Sequence, residues 1–172
     1  MKNLRLTIVA VMMALLSQSQ SVEKKEISTK DYRFAMSAAK TGLMQLKLGE
    51  LAVLKGTSEN VKKIGSEMVK RHQEFTKEVR LLTNERSVFV AGELDAKQQR
   101  SYEKLSEKSG ADFDRSYLKH MRNGHENVIS DFEKEIKYGD DAELISWATA
   151  TLPILELYAE TSPDEPLEVL TN

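Results

Sequence analysis

Residues 61–82, VKKIGSEMVKRHQEFTKEVRLL, carry Val61, Ile64, Met68, His72, Phe75, Val79 and Leu82 at steps of three and four. That spacing lays them along one face of an α-helix and leaves most of the charged residues on the other. The pattern recurs three times. Phe34, Ala38, Thr41, Gln45, Leu48 and Ala52 form a stripe upstream, and Tyr117, Met121, His125, Val128 and Phe132 form one downstream. Leu144, Ala148, Thr151, Leu155 and Tyr158 complete the set. Four amphipathic helices make the expected fold class all-α, and three prolines and eight glycines in 172 residues leave little to interrupt them.

Capping residues set the expected boundaries. Ser28-x-x-Asp31 resembles a capping box and opens a helix that runs to Gly56; Thr57-Ser58-Glu59 caps the next, which continues to about Asn84. The connection ERSVFVAGEL, residues 85–94, leads to Asp95-x-x-Gln98 and a short helical piece ending near Ser109-Gly110. A third long helix is expected from about Asp112 to Tyr138, stopped by Gly139. Asp140-x-x-Glu143 opens the fourth, and Pro153 inside it should kink it. The roughly 25 residues between helices two and three can run back along a bundle of about 37 Å, at ~1.5 Å per helical residue. One long crossover between two helical hairpins is the ferritin-like four-helix arrangement; a plain up-and-down bundle is the alternative.

The N-terminus, MKNLRLTIVAVMMALLSQSQS, has Lys2 and Arg5, then an apolar run from Leu6 to Leu16, then small polar residues. That is the pattern of a secretory signal, with cleavage expected after Ser17-x-Ser19 or Ser19-x-Ser21. The apolar run is shorter than the ~20 residues a membrane-spanning helix needs. No Cys follows it, so a lipoprotein anchor is excluded. The expected organisation is a signal peptide over residues 1–21, a helical domain over residues 28–161 and an irregular tail over residues 162–172. Removing the signal takes away Lys2 and Arg5 and shifts the formal charge from −2 to −4, which offers no electrostatic footprint for nucleic acid. The absence of cysteine rules out disulfides and thiolate chemistry, so packing must hold the fold.

Each stripe is interrupted near its middle by a polar residue: Gln45, His72, His125 and Tyr158. Antiparallel hairpins would bring these to similar heights, as a central polar layer. His120 is one residue off its stripe and is expected to face outward. The spelling Met-x-x-x-His occurs twice, as Met68/His72 and Met121/His125, placing a thioether and an imidazole one turn apart on a shared face. One reading is a packed layer, with Met filling irregular space and imidazole hydrogen-bonded to Gln45 or Tyr158. The other is a transition-metal site using His72, His125, Met68 and Met121, with copper the most plausible ion because thioether and imidazole suit Cu(I). A di-iron centre needs Glu-x-x-His on two helices, and Val69 and Arg122 stand where those acids would be. Glu67, Glu126, Asp131 and Glu156 lie off the stripes and read as solvated surface charges.

The segments AAKTGLMQLKLGELA (38–52), VKKIGSEMVKRHQEF (61–75), FDRSYLKHMRNGHENVISDFEKEI (113–136) and LISWATATLPILELY (144–158) together resemble the exported helical proteins grouped as domain of unknown function 4142, often labelled outer membrane proteins. The resemblance spans about residues 31–161 and implies a ferritin-like four-helix fold and export, with no established activity. Such proteins usually carry an acid in the Gln45–Lys47 stretch, Asp-His at Arg71-His72 and His at Tyr158. Of the polar centre so implied, this chain keeps His72 and His125.

No phosphate-binding loop, nucleophile elbow or catalytic Cys is present, so no enzyme is expected. The remaining expectations are a non-enzymatic envelope protein, periplasmic or associated with the outer membrane, that binds or scaffolds a partner there with a stress-related role, or a metal-buffering protein. The leading reading has no cofactor, no nucleic-acid partner and no membrane span once the signal is removed. The basic residues crowding helix two, Lys62, Lys63, Lys70, Arg71, Lys77 and Arg80, read as a solvated face or as attraction to anionic envelope surfaces. Trp147, beside its stripe, reads as core edge or a partner contact.

Overall fold

The computed structural model describes residues 26–160, without the side chains of Tyr158 and Glu160. The expected signal peptide, its cleavage site and the C-terminal tail lie outside the described residues, as does the side chain of Tyr158. The described chain is all-helical: α1 (Thr29–Lys55), α2 (Glu59–Glu85), α3 (Ala96–Ser106), α4 (Gly110–Tyr138) and α5 (Ala142–Glu160).

Local signals start these helices where the chain carries them. Ser28 accepts from Asp31 N at 3.3 Å and Ser58 from Val61 N at 3.2 Å, each occupying one of the otherwise unpaired first-turn donors. Asp95 and Gln98 form a reciprocal capping box at α3. Two starts differ from the sequence reading. α4 begins at Gly110 rather than Asp112, and α5 is capped by Asp141 rather than Asp140. Asp141 Oδ1 accepts from Glu143 N at 3.0 Å and Leu144 N at 3.1 Å, leaving Asp140 exposed and ion-paired with Lys30. Pro153 lies inside α5, on an exposed face.

α1 is the central element. It packs along α2 and against α4 and α3, while α4 also packs along α5. α2 meets α5 through side chains: the Phe75 and Trp147 rings are 5.4 Å apart, and Trp147 Nε1 donates to Glu78 Oε2 at 3.1 Å. The α1–α2 crossing is close because two glycines face each other. A Cβ at Gly65 would sit 2.8 Å from Ala52 Cβ and 2.9 Å from Gly49 O, and no side-chain rotation relieves a clash with backbone. Gly65→Ala is therefore expected to push the helices apart and lower stability by about 1–3 kcal/mol. Urea unfolding followed by circular dichroism measures this, and an unchanged midpoint would show that the crossing has slack.

The core divides into two apolar clusters. One joins Met44, Leu48, Met68, Tyr117 and Met121 with Phe113 and with Leu105 of α3. The other joins Phe34, Ala38, Val79 and Phe132 with Leu144, Ala148 and Leu155 of α5. So α3 completes one end and α5 the other. Trp147 is core edge: its ring lies 5.1 Å from Phe132 and 5.8 Å from Phe34.

A buried ionic network ties the α5 end together. Asp31 accepts from Asp140 N at 3.0 Å and Asp141 N at 3.1 Å, reaching across to the α4–α5 turn. Arg86, just past α2, donates from Nε and Nη2 to the two oxygens of Asp141 at 2.9 and 2.8 Å, from Nη1 to Leu82 O at 2.9 Å, and also to Glu143. Glu135 is buried beside this group, with its Oε1 unpartnered among the described residues.

Candidate functional site

Gln45, His72 and His125 meet between the two apolar clusters. On their helices Gln45 follows Met44, His72 lies between Met68 and Val79, and His125 lies between Met121 and Phe132, so each leaves one cluster before reaching the other. The three line one enclosed void of about 10 Å³, walled also by Ala38, Phe75 and Leu155. Its volume suits about one water or one ion. A second cavity of about 240 Å³ lies between α2 and α5 and shares His72, His125, Phe75 and Leu155 with the first. Met68 lines this cleft, as do Arg71, Glu74 and Glu78.

Of the four residues read as a polar layer, three come together; Tyr158's side chain is not described. Of the four residues read as metal ligands, His72, His125 and Met68 line the cleft, while Met121 lines neither cavity and is packed with Met68 in the apolar cluster.

Two buried polar atoms at this centre are left unpartnered among the described residues. Gln45 is 3% exposed, and its Oε1 has no partner among the described residues. His72 Nδ1 is likewise shielded from solvent and unpartnered. Gln45 fits here because Gly124 faces it, and a Cβ at Gly124 would overlap Gln45 Nε2. Burial keeps both imidazoles neutral. It lowers His72 from 6.5 to about 4, helped by the nearby His125 and then Arg71, and it lowers His125 in the same direction.

The surroundings correct three sequence readings. His120 is half-buried rather than turned fully outward, and burial lowers its pKa. Asp131 is half-buried and accepts from Ser37 Oγ at 2.8 Å. Glu67 is half-buried and lies 3.7 Å from Arg71. Position off a stripe reports only that neither acid points along the apolar face; it does not report what packs beside it, such as Ser37 of α1 against Asp131. Sequence reading marks Asp31 only as part of a helix cap and passes over Arg86, Glu135 and Asp141. None interrupts an apolar stripe, so no local signal marks them as buried.

Among the described residues no group of three or more His, Asp or Glu converges to hold a metal ion. No helix among them is long and apolar enough to cross a membrane. A family model described as a domain of unknown function (DUF4142) matches residues 16–161. No curated protein and no solved structure matches the chain.

Proposed function

The chain belongs to the domain of unknown function 4142 family, whose description names no activity, and from its own residues we propose a non-enzymatic, exported protein of the bacterial cell envelope with a binding or scaffolding role. Its architecture in this reading is a ferritin-like four-helix bundle. Support comes from the connectivity: α1 and α2 form one packed pair, α4 and α5 another, and the long stretch holding α3 joins them. The signal-like N-terminus supports export.

The observation that carries the non-enzymatic reading is the size of the polar centre. A void of about 10 Å³ cannot admit an organic substrate, for which pockets of ~300–1,000 Å³ are usual. The adjoining cleft that both imidazoles also line is about 240 Å³, still below that range. The test is expression of the full chain in a Gram-negative host, with osmotic-shock fractionation and N-terminal sequencing. Periplasmic or envelope-associated protein beginning within a few residues of Gln20 or Val22 is the expected outcome. A cytosolic product that keeps Met1 overturns the export reading.

A further inference from the structure

A void the size of a single ion is walled at this centre by polar groups that carry no negative charge. The Gln45 carboxamide and the His72 and His125 imidazoles face it, and no carboxylate does. The Met68 thioether lines the adjoining cleft together with both imidazoles. Two of these groups present shielded lone-pair atoms, Gln45 Oε1 and His72 Nδ1, that no protein donor occupies among the described residues. Buried acceptors left in this way cost free energy until a water or an ion meets them.

The geometry points to a site for one Cu(I) ion, held by His72 Nδ1, His125 and the Met68 sulfur and reached through the cleft between α2 and α5. It names what the proposed envelope protein binds, resting on that reading for the source of the ion and not for the site. Nitrogen and thioether sulfur are the donors soft ions prefer, whereas hard cations such as Mg²⁺ or Ca²⁺ need an oxygen shell this void does not supply. A single positive charge is also cheaper to desolvate than a double one, because the Born cost rises with the square of the charge. Glu74 and Glu78 on the cleft wall favour entry of a cation, opposed by Arg71. Met121, although spelled Met-x-x-x-His with His125, lines neither cavity and belongs to the packing.

Anaerobic titration of the purified mature chain with Cu(I), in competition with a chromophoric Cu(I) chelator, tests the site. One ion per chain is expected, with a sulfur scatterer in X-ray absorption. Met68→Leu, which nearly preserves volume, should weaken binding about tenfold or more and remove the sulfur signal while helicity stays unchanged. His72→Gln should weaken it similarly, and Met121→Leu should leave it as it is. If His72→Gln does not fold, the Met68→Leu and Met121→Leu pair still decides. No chelator-competitive binding overturns the site, and so does binding indifferent to Met68→Leu. Loss in Met121→Leu alone overturns the ligand assignment. Because binding is read on purified protein, it stands or falls separately from the fractionation result.

Discussion

Arg86→Ala is expected to remove about 3–5 kcal/mol of folding stability, because it leaves a buried anion without its cation. The Arg86 side chain is wholly buried and Asp141 nearly so, and the two share a two-bond contact. The hydrogen bond to Asp141 is the main influence keeping the guanidinium firmly charged. Asp31 and Glu135 are buried in the same group, so the variant gathers acids in a region of low dielectric with only the exposed Lys30 nearby to offset them. Arg86 also anchors the end of α2 through Leu82 O, so its loss loosens two helix ends together. Urea unfolding should show a large fall in midpoint with little change in slope. Adding Asp141→Asn should recover part of the loss, since the amide keeps a capping oxygen for α5 and sheds the charge. A loss below about 1 kcal/mol would mean that water reaches this network and solvates Asp141 as well as Arg86 does.

The second large effect is a pair of opposed pH dependences. His72 falls from 6.5 to about 4 on folding, chiefly through burial. Between those values the unfolded chain takes up the proton first, so stability is lost as pH falls from about 6.5 to about 4. Glu135 rises from 4.5 to about 7, chiefly through burial and then through the Asp31 charge. There the folded chain holds the proton more tightly, so stability is lost as pH rises from about 4.5 to about 7. Each swing is worth up to about 3.5 kcal/mol at ~1.4 kcal/mol per pH unit. Where the windows overlap they offset each other, with His125 adding to the acid side and Asp141 and Lys30 acting in opposite directions on Glu135. The metal-free protein should therefore show a shallow stability profile from about pH 4.5 to 6.5. Glu135→Gln should expose the histidine slope, with stability falling steadily as the medium is acidified. His72→Gln should do the reverse and gain stability toward pH 4.5. Unfolding midpoints measured across this range decide the matter, and variants whose profiles merely run parallel to the parent would refute the opposition.

The sequence by itself determined the elements. Stripes at steps of three and four, Ser28, Ser58 and Asp95 at helix starts, and Gly56 and Gly139 at helix ends are local signals, and burial of one helical face is a local requirement. It also placed Gln45, His72 and His125 at the interruptions of those stripes, because a polar residue in an apolar series is visible without knowing what packs against it. What it left undecided is pairwise and distant. Asp31 reads as part of its own helix's cap, yet its carboxylate serves backbone amides 109 and 110 residues away. Arg86 reads as a loop cation, yet it meets an acid 55 residues away. Met68 and Met121 have the same spelling relative to a histidine, and only the packing of the helices puts one on the cleft and leaves the other wholly in the core. Tertiary structure decided these because the field at a side chain is set by every element packed around it. Helical periodicity reports only the direction in which that side chain leaves its own backbone.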